Sequence, residues 1–69
     1  MKNLSNTDYV IWDKANDTLV RFHSNSDIVI YGNIEDAQED SYANEWVTKC
    51  TDLPEHHQKA LKKQIKKYL

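Results

Sequence analysis

The chain has 69 residues, of which 39% are hydrophobic and 29% are charged, and its formal net charge is -2. A chain of this length fits one small domain with one core, which leaves little stability to spare for a strained or deeply buried active site. Its single cysteine cannot form an internal disulfide, and it has neither the apolar run of a signal peptide nor an apolar segment of membrane-spanning length. We therefore expect a soluble, cytoplasmic protein.

The charged residues are unevenly distributed along the chain. Residues 1–58 hold all eleven acidic residues and four of the nine basic ones, whereas residues 59–69 hold five lysines and no acid. Such an asymmetry bears on partners and association rates rather than on the fold. It predicts one acidic and one basic surface.

The first half of the chain is predicted to form three antiparallel strands, preceded by a flexible N-terminus over residues 1–7. The segments 9–14 (YVIWDK) and 18–23 (TLVRFH) are rich in β-branched and aromatic residues. The turn-forming residues ANDT between them predict a hairpin with a loop of about four residues. A second turn, SNSD at 24–27, precedes 28–31 (IVIY), which predicts a third strand in a meander.

Alternation along the second strand predicts which side chains reach the core. Successive side chains of a strand point to opposite faces, so we expect Val20 and Phe22 to point inward and Leu19 and Arg21 outward. The strand register, which the sequence leaves open, decides which pair of the first strand shares the outer face: Tyr9 and Ile11, or Val10 and Trp12.

A helix and a fourth strand are predicted next. Asn33, with Asp36 three residues later, has the spacing of a helix N-cap and predicts a helix over 34–44. Four acids share one arc of this helix, whereas Ala37 lies on an opposite face narrow enough to sit close to a sheet. The segment 45–51 (EWVTKCT) returns to strand character, after a connection that suits a parallel or an antiparallel return.

The last predicted element is a lysine-rich helix over 53–68. Asp52 is its predicted N-cap, with Pro54 in the first turn and Glu55 as the capping-box partner. Its inner arc holds His57, Leu61, Ile65 and Tyr68. The predicted fold is thus a single α+β domain of order β-β-β-α-β-α, in which two amphipathic helices cover a small antiparallel sheet.

The acid-bearing arc of the first helix is one candidate site. We call this surface the acidic arc; it consists of Glu35, Asp36, Glu39 and Asp40. It could engage a basic patch on another protein by imitating the phosphates of a nucleic acid, or it could be the solvated side of an amphipathic helix. No lysine lies four residues after any of these acids, although a helix built for solubility often alternates charge signs.

The lysine face of the last helix is a second candidate site. It consists of Lys59, Lys62, Lys63, Lys66 and Lys67, and Arg21 could join it. These cations could bind nucleic acid, or they could be the solvated outer face of a docked helix, which the lack of an arginine cluster favours. A further alternative is self-association, in which the acidic arc of one copy meets the lysine face of another.

Aromatic residues of the predicted sheet are a third candidate. If one sheet face is open, these side chains could stack on bases or form a hot spot for a protein partner. In so small a protein they are more often core residues. The residues concerned are Tyr9, Trp12, Phe22 and Tyr31.

No set of residues indicates catalysis. His56 and His57 are adjacent, hence about 100° apart on a helix, which does not suit shared metal ligation. His23 is remote in sequence, and Cys50 lacks a second cysteine and is expected to be a small buried group. Without a paired-carboxylate motif, a phosphate loop or a nucleophile elbow, we expect no enzymatic activity, no catalytic residues, no metal and no cofactor.

The middle of the chain resembles a class of small proteins. Residues 27–40, DIVIYGNIEDAQED, are similar to the strand, short polar turn and acidic helix of small phage-encoded inhibitors of bacterial RNA polymerase. The resemblance implies a stoichiometric binder, often an inhibitor, that acts in the host-cell cytoplasm. It transfers no site residue, and the terminal lysine helix departs from the pattern.

These observations predict a non-enzymatic protein-binding module with the acidic arc as its recognition surface. The expected partner is a larger host complex with a basic patch, either one that handles nucleic acid or one that serves in defence. Nucleic acid is the alternative partner, and a membrane is not expected.

Overall fold

The computed structural model describes residues 8–68, so the predicted flexible segment 1–7 lies outside the described residues. A three-stranded antiparallel sheet and two helices form an α+β fold, which confirms the predicted class. The elements are β1 (Tyr9–Asp13), β2 (Thr18–Leu19), α1 (Ile34–Asp40), β3 (Trp46–Lys49) and α2 (Glu55–Lys67). Within residues 8–68 no helix has the length and apolar character needed to cross a membrane.

β1 is the central strand of the sheet, whose order is β2-β1-β3, and it runs antiparallel to both neighbours. The predicted hairpin is confirmed, since Asp13 pairs with Thr18 and residues 14–17 make the loop. In this loop the Asp13 carboxylate accepts hydrogen bonds from the backbone N–H and the side-chain amide of Asn16. The connection through α1 returns the chain as the antiparallel strand β3.

The predicted third strand, 28–31, does not form a strand, so the order β-β-β-α-β-α is not confirmed. The segment instead makes two isolated bridges, between Arg21 and Ile28 and between Tyr9 and Tyr31. It therefore pairs with two different parts of the chain at its two ends, rather than lying along one neighbour.

Hydrogen bonds from α2 hold this segment at Ile28. Gln64 Oε1 accepts from the backbone N–H of Ile28 at 2.7 Å, and Gln64 Nε2 donates to the Ile28 carbonyl at 2.9 Å. Both backbone groups are thus satisfied without a further strand. β2 also ends earlier than predicted, at Leu19, and beyond it the N–H of Phe22 donates to the carbonyl of Asp27 within a tight turn.

The main core lies between the sheet and α2. Its buried members are Val10, Leu19, Ile28, Cys50, Leu53 and Leu61. Because Leu19 is buried and Phe22 is 52% exposed, the prediction that Phe22 points inward and Leu19 outward is wrong. The register pairs Leu19 with Trp12, which places Val10 and Trp12 on the face of Leu19. A helix covers each face of the sheet, so the alternation of polar and apolar residues along β2 could not show which of its faces packs in the main core.

α1 packs on β1 and β3, where it covers the face that carries Ile11. Ala37 is its one buried residue among 34–40, and its small side chain lets the helix approach the sheet closely. The predicted cap is confirmed, since the Asn33 side chain accepts from the backbone N–H of Asp36 at 2.9 Å.

Both helices differ from their predicted bounds. α1 ends at Asp40 instead of residue 44, because Ser41 is extended and its hydroxyl and N–H both donate to the Gln38 carbonyl. α2 begins at Glu55 with Pro54 at its N-cap position, so the prediction that Asp52 caps this helix is wrong. Asp52 instead ends a 3-10 turn that follows β3.

Candidate functional site

All four carboxylates of the acidic arc are exposed, as the helical spacing predicts. Within residues 8–68 none of them forms an ion pair with a lysine, arginine or histidine. Two of them accept hydrogen bonds from uncharged donors inside the protein. Asp36 accepts from the side-chain amide of Asn33 at 3.1 Å, and Asp40 accepts from the hydroxyl of Tyr31 at 2.8 Å.

The hydrogen bond between Tyr31 and Asp40 joins the acidic arc to the segment 28–31, which is bridged to β1 at Tyr9. Burial of the Tyr31 ring, together with the hydrogen bond to the Asp40 carboxylate, raises the pKa of Tyr31 to about 12. The carboxylates of Asp36 and Asp40 therefore have structural partners, whereas those of Glu35 and Glu39 make no hydrogen bond within residues 8–68.

Exposed apolar side chains lie at both ends of α1. Ile34 opens the helix at 38% exposure, and Tyr42, just beyond its end, is 77% exposed. The backbone around Tyr42 is fixed by Glu45, whose carboxylate accepts from the Tyr42 N–H at 2.7 Å while its own N–H donates to the Tyr42 carbonyl. Glu45 lies beyond the end of α1 and outside the acidic arc, and its role is to close this turn.

The lysine face is exposed along α2, as predicted. Lys59 forms a loose ion pair with Glu55 at 3.7 Å, and Lys67 reaches Asp27 at 3.3 Å. Within residues 8–68, Lys62, Lys63 and Lys66 form no ion pair.

The end of α2 comes close to the turn that carries Arg21 and Asp27. Hydrogen bonds from the hydroxyl of Tyr68 and from Lys67, with the nearby charge of Arg21, lower the pKa of Asp27. Arg21 is also held by a hydrogen bond to the Ser26 carbonyl at 2.8 Å. The structure thus brings Arg21 to the end of the lysine face. Within residues 8–68 no ion pair joins the lysine face to the acidic arc.

The predicted aromatic candidates divide by exposure. Tyr9, Trp12 and Tyr31 are partly buried, so they are not an open stacking platform, whereas Phe22 is exposed. An exposed aromatic that the sequence did not single out is Trp46, which pairs with Trp12 across β1 and β3. The ammonium of Lys14 lies over both indole rings, at 5.2 Å from the first and 4.6 Å from the second.

A cluster of one carboxylate and two imidazoles joins the β1–β2 loop to the first turn of α2. We call it the Asp17 cluster. Nε2 of His56 lies 2.8 Å from Oδ2 of Asp17, and Nε2 of His57 lies 2.7 Å from Oδ1. These hydrogen bonds, that of His57 first, hold the pKa of Asp17 below its usual value. The two imidazole centroids are 4.1 Å apart, so these adjacent side chains converge on one carboxylate.

The surroundings of the Asp17 cluster fix its geometry. Asp17 has a positive φ of 53°, a conformation that aspartate and asparagine tolerate better than most residues, and its N–H donates to the Lys14 carbonyl to close the loop. The indole N–H of Trp12 donates to Oδ1 of Asp17 at 3.2 Å. His57 is buried, with its ring edge-on to Trp12 at 6.1 Å between centroids, whereas His56 is exposed.

Sequence spacing could not reveal this cluster, because Asp17 lies 39 and 40 residues before its two histidine partners. The available signals were an aspartate at the end of a hairpin loop and a histidine pair in the first turn of a helix.

The expectation that Cys50 is a small buried group is confirmed, since its thiol is buried and its pKa is raised to about 11, chiefly by burial.

No family model, no curated protein and no solved structure matches this chain.

Proposed function

We propose that this protein is a non-enzymatic binding module whose acidic arc docks on a basic patch of a larger nucleic-acid-handling or defence complex, as a phage-type inhibitor would. The observation that carries the proposal is that the four carboxylates are exposed and form no ion pair within residues 8–68. A surface of one sign that its own chain leaves uncompensated attracts an opposite surface and steers its approach.

The ends of α1 add apolar contact area to this surface. Tyr42 and Ile34 are exposed on either side of the arc, and aromatic side chains often dominate the binding energy of protein interfaces. The hydrogen bonds of Glu45 hold the backbone at Tyr42, so little conformational freedom of that backbone remains to be lost on binding. The arc would thus supply orientation and association rate, and Tyr42 would supply affinity.

Glu35 and Glu39 allow the arc to be tested without disturbing the fold, because Asp36 and Asp40 carry the internal hydrogen bonds. The test is affinity capture from the cell that makes the protein, with wild type compared with the double variant Glu35→Gln and Glu39→Gln. The matched control is Asp52→Asn with Glu55→Gln, which removes the same charge at exposed positions away from the arc.

We expect a nucleic-acid-handling or defence complex to be captured by the wild type and by the control, and to be lost from the double variant and at high salt. Tyr42→Ala should lower the affinity for the purified complex chiefly through faster dissociation, whereas loss of the two charges should slow association. Equal capture by the double variant and the wild type would contradict the proposal.

Nucleic-acid binding by the lysine face is the second candidate function. Lys62, Lys63 and Lys66 have no ion pair within residues 8–68, and Arg21 lies near the end of the same helix. A gel shift with single- and double-stranded DNA and RNA at low salt tests it. If all three lysines contact phosphates, changing them to glutamine should reduce the slope of log K against log salt by about 2.7 for a duplex. The absence of any shift would exclude this candidate.

Self-association is tested by sedimentation at low and high salt. Contact between the acidic arc of one copy and the lysine face of another should weaken as salt screens the charges. A monomer at both salt concentrations would exclude it.

A further inference from the structure

We propose that Asp17, His56 and His57 form a binding site for a divalent transition metal ion, with zinc as the best match. This site is separate from the acidic arc and goes beyond the proposed function. It joins the β1–β2 loop to the first turn of α2.

The donor atoms converge closely enough to share one ion. One ring nitrogen of His56, one of His57 and a carboxylate oxygen of Asp17 all lie within 4.8 Å of one another. Ligand atoms around a tetrahedral zinc ion, with bonds of about 2.0–2.1 Å, are separated by about 3.4 Å. The present nitrogen–oxygen distances of 2.7 and 2.8 Å therefore need to open by about 0.6–0.7 Å, which rotation of the exposed His56 and Asp17 side chains can supply.

The donor types select the class of metal. Two imidazole nitrogens and one carboxylate oxygen suit zinc and the neighbouring divalent ions nickel, copper and cobalt, whereas magnesium and calcium prefer oxygen ligands throughout. Three protein ligands also leave a position of a four-coordinate ion open to water or another small ligand. Cys50 is buried in the core and does not belong to the cluster.

The site is partly organised before a metal arrives. The indole N–H of Trp12 orients the carboxylate of Asp17, and the edge-on contact with Trp12 holds the buried ring of His57. This second-layer support is typical of metal sites. The simplest alternative is that the cluster is only a hydrogen-bonded clasp between the loop and α2, and that alternative predicts no saturable zinc binding.

Metal binding has a definite proton requirement. In the hydrogen-bonded cluster, a histidine whose Nε2 donates to Asp17 carries a proton at that nitrogen, whereas a metal needs the Nε2 lone pair. Each such proton must therefore move to Nδ1 of the same ring or leave to solvent. Acid should consequently weaken binding, since protonated imidazoles cannot ligate.

The experiment is calorimetric titration of zinc into protein without a polyhistidine tag, with cobalt absorption as a second readout. The variants are Asp17→Asn, which suits the same positive φ, and His56→Ala at an exposed position. The control is His23→Ala, which removes an exposed histidine outside the cluster. Circular dichroism establishes that each variant is folded.

We expect one zinc ion per chain. Loss of a residue that only hydrogen-bonds to a metal ligand typically lowers the metal affinity about tenfold or more, so loss of a ligand itself should cost at least as much. We therefore expect Asp17→Asn and His56→Ala each to weaken zinc binding by more than about tenfold. His23→Ala should bind as the wild type does. In imidazole NMR spectra of the wild type, the signals of His56 and His57 should shift with zinc while those of His23 stay in place. No saturable binding at millimolar zinc, equal affinity in all variants, or a shift of His23 instead would each overturn the proposal.

Discussion

The side-chain amide of Gln64 satisfies both backbone hydrogen-bonding groups of Ile28. A single residue of α2 thereby takes the place that a neighbouring strand would occupy. An amide carries a donor and an acceptor side by side, as the edge of a strand does. This pair of hydrogen bonds therefore ties α2 to the irregular segment 28–31.

Replacement of Gln64 should destabilise the protein by more than the loss of an ordinary surface contact. Gln64→Ala leaves the N–H and the carbonyl of the buried Ile28 without their partner, which we expect to cost about 1–3 kcal/mol of unfolding free energy. Gln64→Glu keeps the shape and the acceptor but loses the donor, so it should also destabilise. Urea denaturation measures both, and Lys62→Ala, which changes an exposed residue of the same helix, is the control.

Amide hydrogen exchange gives a local readout of the same bond. Exchange at Ile28 should speed up in Gln64→Ala relative to Lys62→Ala. If Gln64→Ala and Lys62→Ala have the same unfolding free energy, the role assigned to this hydrogen-bond pair is wrong.

Enlarging Ala37 should disrupt the packing of α1. Ala37 is fully buried, so Ala37→Leu should cost about 1–3 kcal/mol by overpacking. Glu39→Leu is the control, because it adds a similar side chain at an exposed position of the same helix. Thermal or urea denaturation compares the two variants. A stability for Ala37→Leu equal to that of Glu39→Leu would mean that α1 does not pack closely on the sheet.

Alkaline pH should expose the contribution of Tyr31 to stability. The pKa of Tyr31 is raised from 10.0 to about 12 in the folded protein, so between these values the folded protein keeps a proton that the unfolded chain releases. The part of the unfolding free energy that protonated Tyr31 contributes is fully present below pH 10 and is therefore lost as the pH rises toward 12. Denaturation across this range measures the fall.

The matched tyrosine variants isolate this contribution. Tyr31→Phe should lose less stability between pH 10 and 12 than the wild type does, because it has no phenol to ionise. Tyr42→Phe removes an exposed phenol and should behave as the wild type. An identical fall in all three proteins would contradict the raised pKa.

Cys50 should be nearly inert to thiol reagents while the protein is folded. Raising the pKa of its thiol from 9.0 to about 11 lowers the thiolate fraction about 100-fold near neutral pH, and burial blocks access as well. Modification by a disulfide reagent should therefore require transient opening and accelerate steeply in urea. A native rate close to that of the unfolded chain would show that the thiol is accessible.

Features coded by neighbouring residues could be predicted from the sequence. The cap formed by Asn33 with the N–H of Asp36, and the four-residue hairpin loop that ends at Asp17, depend on side chains and turns within a few positions of each other. The exposure of the acidic arc follows from helical period alone. These local patterns decided the fold class and the candidate recognition surface.

Features coded by distant residues could not be predicted in the same way. Gln64 reaches a residue 36 positions earlier, and nothing in the strand-like composition of 28–31 indicates that partner. His56 and His57 diverge on an ideal helical wheel, yet both meet the carboxylate of Asp17. A helical wheel treats side chains as radial vectors, and it contains neither their rotamers nor the loop that approaches them.

The two ends of α2 are fastened to successive turns, through Asp17 at one end and Asp27 at the other. These contacts join residues 39 to 41 positions apart, so they cannot form until the last helix is available to the hairpin region. During synthesis on the ribosome the hairpin would emerge well before the helix that covers its core. Its apolar face would meanwhile be open to chaperones or to other chains, and the protein should complete its fold only once α2 has emerged.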